Sequence, residues 1–300
     1  MKVFITGGLG FIGTSLSDYL FAKGHSVIAT GRASTQNRII SDRHQYISAD
    51  TTRPGQWQKA LGDSDCVVNL AGKSIFKRWN KKYKQEIYDS RILTTRNVVD
   101  ALETGQAVTL CSASGARYYG NRGDDILKED EKPAGDFLAT VSADWEAEAL
   151  KAADKGIRVA AMRFGVILGK GGGALAKMIP AFKSFVGGPI GSGVQWFSWM
   201  HLSDLMAAIL FIFEHPQISG PVNFCAPAPV RNRQLAKTLG EVLGRPAVMP
   251  APAFMLRMVL GEFGSVLLDS QRTIPEKLLS YGFEFQYPDI KSAVQAVVAG

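Results

Sequence analysis

Short unbroken apolar runs alternate with stretches of helical spacing along the first two thirds of this chain. Val3, Phe4 and Ile5 form the first run, bounded by a glycine cluster, which is the pattern of a strand buried on both faces. Phe11, Ile12, Leu16, Tyr19 and Leu20 follow at helical spacing. The strand signature returns in HSVIAT, in QYISA before Asp50, in CVVNL before Ala71, in VTLCS before Ala113 and in RVAAMR before Phe164, with helical segments between them. That alternation predicts an α/β chain: a doubly wound parallel sheet with helices on both faces.

After Arg163 the texture changes. GVILGKGGGALAKMIPAF and GGPIGSG are glycine-rich loops around short helical pieces, WFSWMHLSDL reads as a further strand entering a helix through Ser203 and Asp204, and VNF as one more strand. From about Pro227 the pattern is helical. The expected organisation is a nucleotide-binding domain from 1–165 plus about 195–225, and a small, mainly helical C-terminal domain from about 166–194 and 226–300, on the substrate side.

The first loop narrows the chemistry. Thr6 ends the strand, Gly7, Gly8, Gly10 and Gly13 fit both G-x-x-G-x-x-G and G-x-G-x-x-G, and Gly13, with Phe11 and Ile12, falls in the first helical turn. Backbone N–H groups and a positive helix end then lie where a pyrophosphate would bind, as in a Rossmann-type site. The next strand ends in Thr30, Gly31 and Arg32, where an NAD-selective site carries Asp or Glu for the ribose hydroxyls. A guanidinium there suits a 2′-phosphate, so the expected cofactor is NADP(H).

Composition bounds the alternatives. The 300 residues, 46% hydrophobic, can bury a sizeable core. No apolar run spans a bilayer and no charged leader precedes the first strand, so a cytoplasmic protein is expected, with no membrane partner. Cys66, Cys111 and Cys225 are isolated in apolar runs and read as buried thiols, without metal or disulfide spacing. Much of the net charge of +7 lies in Lys77, Arg78, Lys81, Lys82 and Lys84, a run that reads as a solvated helix face; no nucleic-acid module accompanies it, and that partner is disfavoured.

Taken together, TGGLGFIG, Asp50, NLAG at Asn69 to Gly72, SASGARYYG, GGPIGSG and WMHLSDL resemble the extended short-chain dehydrogenases/reductases, in their atypical, epimerase-like branch with a C-terminal domain of unassigned function. The resemblance covers nearly the whole chain. It implies that Asp50 and Thr51 contact the adenine, that Leu70, Ala71 and Gly72 pass the adenine ribose and pyrophosphate, and that Arg163 reaches the nicotinamide end or serves as a structural ion-pair partner. It also aligns Ser114 with the family's catalytic serine and His201 with a position that supports the substrate loop.

The resemblance breaks at the catalytic pair. Family members use a Tyr as acid/base and a Lys four positions later that lowers the phenol's pKa from near 10. Aligning DWEAE with the family's K-L-E-A-E puts Thr140 at the Tyr position and Asp144 at the Lys position, and neither can serve. The one Y-x-x-x-K, Tyr19 to Lys23, lies on the helix behind the glycine loop. Ser114 and Tyr118 remain as catalytic candidates. Lys73, Arg78 and Arg91 are candidates for holding an anionic substrate, and Trp79, Trp196 and Trp199 for stacking on it. An NADP(H)-dependent oxidoreductase or epimerase acting on a small molecule, and a catalytically inactive NADP-binding regulatory protein, are both compatible with these residues. So are a monomer and a homodimer paired through segments 81–102 and 139–153.

Overall fold

A computed structural model describes residues 1–34 and 42–299. The chain begins β1 (Lys2–Thr6), α1 (Phe11–Ala22), β2 (Ser26–Gly31), β3 (His44–Ser48), β4 (Cys66–Asn69), α2 (Lys81–Ala101) and β5 (Thr109–Gly115). It continues through β6 (Ile126–Leu127), α3 (Phe137–Leu150), β7 (Arg158–Phe164), β8 (Val166–Leu168) and α4 (Leu175–Lys183). Next come β9 (Trp196–Phe197), β10 (Trp199–His201), α5 (Leu202–Glu214), β11 (Gly220–Phe224), β12 (Val230–Arg231) and α6 (Asn232–Leu243). The last stretch holds α7 (Ala253–Leu260), α8 (Glu262–Val266), β13 (Arg272–Thr273), α9 (Glu276–Ser280) and α10 (Ile290–Ala299).

Seven strands form one parallel sheet in the order β11-β7-β5-β4-β1-β2-β3, which bears out the doubly wound expectation. The central strands are apolar without alternation because helices cover both faces: Val3, Ile5, Val27 and Val68 pack with α1 and α5 on one side, Phe4, Val67, Leu110 and Val159 with α2 on the other. A third cluster joins Leu168, Phe182 and Trp199 to α6 and α10. Strand order reverses between β1 and β4, so the loops leaving their carboxyl ends diverge and open a crevice. Among the described residues no helix is long and apolar enough to cross a membrane.

Two local readings are corrected. The WFSWMH segment does not extend the main sheet: β9 pairs with β12 and β10 with β8. Helix α5 is capped not by Ser203 but by His201, whose Nδ1 accepts from the Ser203 N–H, while Asp204 is buried and accepts from the N–H groups of Gln286 and Tyr287. The pattern also gave no sign of β6, whose two residues pair with β13, nearly 150 positions later in the chain.

Candidate active site

The crevice begins at the glycine loop. Gly7 has φ +67°, and a Cβ there would lie 3.1 Å from the Ala71 backbone across the crevice. A Cβ on Gly13 would meet the Gly7 carbonyl at 2.4 Å, so only glycine lets the first turn of α1 lie on the loop. Thr6 is fully buried and does not face the crevice. Its hydroxyl donates to Asn69 Oδ1 at 2.7 Å and accepts from the N–H groups of Leu70 and Ala71, which clamps the two crevice loops together.

A cavity of about 420 Å³ follows. Gly7 and Gly10 line it beside Arg32, Asp50, Thr51, Leu70, Ala71 and Gly72, which brings most of the expected cofactor residues into one place. The Asp50 carboxylate is held below its ordinary pKa mainly by the Thr52 hydroxyl, with Arg32 adding a smaller pull in the same direction. Ser90 and Thr94, one turn apart on α2, complete the wall; sequence reasoning missed them, although small polar residues at i and i+4 were the signal. Glycines shaped to a close approach, a helix N-terminus and a cation on the far wall are the features a dinucleotide phosphate chain needs.

Gly72 and Lys73 also line a second cavity of about 400 Å³, which runs on past Phe11, Ile12, Arg91, Ser114 and Trp145 to Ser198 and Gln271. Ser114 therefore lies on the wall of this second cavity. Its hydroxyl donates to Glu146 Oε1 at 2.6 Å, and Glu146 is held from the other side by Arg163 through Nε and Nη2, both at 2.8 Å.

That pairing corrects the reading of Arg163 as a cofactor contact. It is 3% exposed, lines neither cavity, and spends its remaining donors on the Tyr119 hydroxyl and the Glu129 carbonyl. Tyr118, the other catalytic candidate, is not brought into the cavity wall: the Arg163 guanidinium lies 3.6 Å from its ring centre, and burial pushes its phenol above the ordinary value. The network continues from Tyr119 to Asn223, whose N–H donates to Glu129.

The α3 register also shifts. Thr140 is exposed, and Asp144 accepts a hydrogen bond from Tyr88 at 3.0 Å; neither faces the second cavity. Leu138, Val141, Ser142 and Trp145 face it instead. The i, i+4 pairs on that side are Leu138 with Ser142 and Val141 with Trp145, so the helix offers the crevice no phenol and no ammonium.

The substrate candidates divide. Lys73 and Arg91 line the second cavity, with Lys73 bound to Glu86 at 2.6 Å. Arg78 is exposed and bonds the Met258 carbonyl outside it. Trp196 lies away from it, between the guanidinium groups of Arg231 and Arg272, with its Nε1–H on Asp124. His201 is a buried cap whose ring lies tilted against Tyr287, outside the lining of the second cavity, and burial lowers it to about 4, so it carries no charge near neutrality. Trp79 and Trp199 are core residues. Gln271, which no motif signalled, and Arg117, which lies within SASGARYYG but was not singled out there, line the cavity's far end.

Residues 3–224 match the NAD dependent epimerase/dehydratase family and residues 251–297 match a domain of unknown function, DUF1731. The chain is 40% identical over 302 residues to the chloroplastic epimerase family protein SDR39U1 homolog of Arabidopsis thaliana, covering 99% of this chain and 87% of that protein. It is 37% identical to epimerase family protein YfhF of Bacillus subtilis, covering 100% and 98%. Among solved structures, the human epimerase family protein SDR39U1 (isoform2) with NADPH superposes with a TM-score of 0.88 at 31% identity, covering all of both chains. With its switch-point crevice, its glycine loop and these relatives, the chain belongs to the NAD-dependent epimerase/dehydratase family, in its atypical extended short-chain dehydrogenase/reductase branch with a DUF1731 C-terminal region.

Proposed function

We propose that this chain is an NADP(H)-dependent oxidoreductase that transfers a hydride to or from a small molecule without a Tyr–Lys pair. The observation that carries the reading is that Gly72 and Lys73 line both cavities, so that the nucleotide crevice and a second space lined by Ser114 lie side by side. NADPH in the human relative supports the choice of cofactor, as does Arg32 in place of a carboxylate at the end of β2.

Gly7, Gly10 and the start of α1 would hold the pyrophosphate, Asp50 and Thr51 the adenine end, and Arg32 the 2′-phosphate. When bound, the cofactor supplies or accepts the hydride. The Ser114 hydroxyl donates its hydrogen bond to Glu146, so toward a ligand its oxygen acts as an acceptor and orients a hydroxyl. Phe11, Trp145 and Phe164 give the second cavity apolar walls against which an unsaturated or ring-bearing substrate can pack. The three cysteines are free and buried, with burial pushing Cys66 and Cys225 up to about 12, and such unreactive thiols support a reducing compartment such as the cytoplasm.

A second reading, a cofactor-responsive protein without catalysis, is favoured by the α3 face, where Leu138 and Ser142 leave no acid/base. Calorimetric titration with NADPH and NADH, beside Arg32→Ala, tests the shared part. NADPH should bind about 10- to 100-fold tighter than NADH, the worth of one charge-assisted bond or two, and the variant should erase the preference. Stereospecific loss of deuterium from labelled NADPH in the presence of carbonyl compounds then separates the readings: loss supports the enzyme, and tight binding without loss supports the sensor.

A further inference from the structure

Arg91 is the feature of the second cavity that the reading above leaves unused. It projects from α2 and lines the cavity, and its Nη1 donates to the carbonyls of Lys73 at 3.1 Å and Ile87 at 2.9 Å. A guanidinium has five N–H groups. Those on Nε and Nη2 have no protein acceptor, and no carboxylate pairs with the charge among the described residues.

The side chain is held as part of a built site. It lies 5.1 Å from the Trp145 ring centre, and Trp145 is itself pinned by its Nε1–H to Thr95 Oγ1 at 2.8 Å. On the other side a Cβ at Gly72 would come within 3.2 Å of the guanidinium carbon, so the glycine makes room for it. Burial lowers the Arg91 pKa to about 10, which still leaves it charged at neutral pH.

The Lys73 ammonium also lines the cavity but is held to Glu86 at 2.6 Å, and the Arg117 guanidinium at its far end is held to Asp269 at 2.7 Å. The Ser114 proton is committed to Glu146, and Glu146 is locked in its ion pair with Arg163. A saturated ketone reduced here would generate a localised alkoxide with no uncommitted acid to quench it. A conjugated acceptor has no such need, because its electrons move to a distant oxygen that a cation can hold.

We propose that Arg91 is the oxyanion-binding residue of this site and that the substrate is a small conjugated carbonyl compound, an enone or quinone, reduced to an enolate or hydroquinone anion. The proposal rests on the oxidoreductase reading. Hydride from NADPH forms a C–H bond at the electron-poor carbon, and the conjugated π electrons shift to the carbonyl oxygen. NADPH is oxidised to NADP⁺, and the oxyanion, bound by the free Arg91 donors, takes its proton from water; with a quinone the carbon that received the hydride then loses a proton to water, the ring regains aromaticity and the second oxygen becomes that of the hydroquinone anion.

The test compares wild type, Arg91→Gln and Arg91→Lys for NADPH affinity, for reduction of benzoquinone, cyclohexenone and cyclohexanone, and for binding of 4-nitrophenol followed by the absorbance of its anion. Expected are reduction of the conjugated acceptors but not cyclohexanone, and a fall of about 100-fold in kcat/KM in R91Q with NADPH affinity unchanged. Binding of the nitrophenolate form should weaken in R91Q and partly recover in R91K. Several results overturn the proposal. Equal reduction of cyclohexanone would do so while leaving the oxidoreductase reading intact. Weakened NADPH binding in R91Q would assign the guanidinium to the cofactor, and nitrophenolate binding indifferent to Arg91 would remove the anion site. NADPH bound tightly but oxidised by none of the three acceptors in any variant would sink both the proposal and the oxidoreductase reading.

Discussion

Glu146 and Arg163 are among the most deeply buried charges of the protein, and their side chains are 6% and 3% exposed. Removing one partner of such a pair leaves the other charged in an apolar surrounding. Glu146→Gln should therefore cost about 3–5 kcal/mol in denaturant unfolding, while the double replacement Glu146→Leu with Arg163→Met should recover much of the loss; a single variant as stable as wild type would contradict the assignment. This pair also shows where residue-level reading of the sequence stops. An arginine at the end of a crevice strand looks the same whether it meets a ligand or a carboxylate. What decides it is a glutamate 17 positions earlier on a helix whose rotation the sequence leaves open. The same rotation separates the expected Thr140 and Asp144 from the residues that line the cavity.

At the scale of elements the chain was more legible. Strands buried on both faces leave unbroken apolar runs, and β2, β4, β5 and β7 fall where those runs lie, within three residues at the ends. The glycine loop was legible for a related reason: its backbone path excludes side chains, so sequence and geometry carry the same information. Gly13→Ala tests this. The added methyl would press on the Gly7 carbonyl, so the variant should lose about 1–3 kcal/mol of stability and bind NADPH at least about 10-fold more weakly. A variant that keeps full affinity would show that α1 and the loop can move apart. Elements made by distant pairing were not legible, because two-residue strands such as β6 and β13 have no periodicity to read.

At the scale of the molecule, the C-terminal region is held to the sheet at buried polar points. His201, at the head of α5, lies tilted against Tyr287 with ring centres 4.0 Å apart, and burial keeps its imidazole neutral in the fold. The unfolded chain takes up a proton below about 6.5, whereas the folded one resists until about 4. This contribution is complete above 6.5 and is lost as pH falls toward 4, at about 1.4 kcal/mol per pH unit within that window. His201→Asn keeps a capping acceptor without titrating, so its urea midpoint should fall less than wild type's between pH 7 and 4.5. Asp204, raised by burial, titrates in the opposite sense and is shared by both proteins. Parallel pH profiles would show that the imidazole is not desolvated.

The two matched stretches, 3–224 and 251–297, look like separable modules. The buried Glu129 carboxylate binds them: it accepts from the Asn223 N–H of the last sheet strand and from the Lys277 N–H at the start of α9, both at 3.1 Å. During synthesis, then, the nucleotide-binding part emerges from the ribosome with a carboxylate destined for the interior and only half of its partners. It waits for residue 277, nearly 150 positions further along the chain, before that carboxylate can be sealed. A chain released before that point would carry the whole glycine loop and all seven sheet strands, yet still present to the quality-control machinery of the cell an open polar seam where α9 belongs.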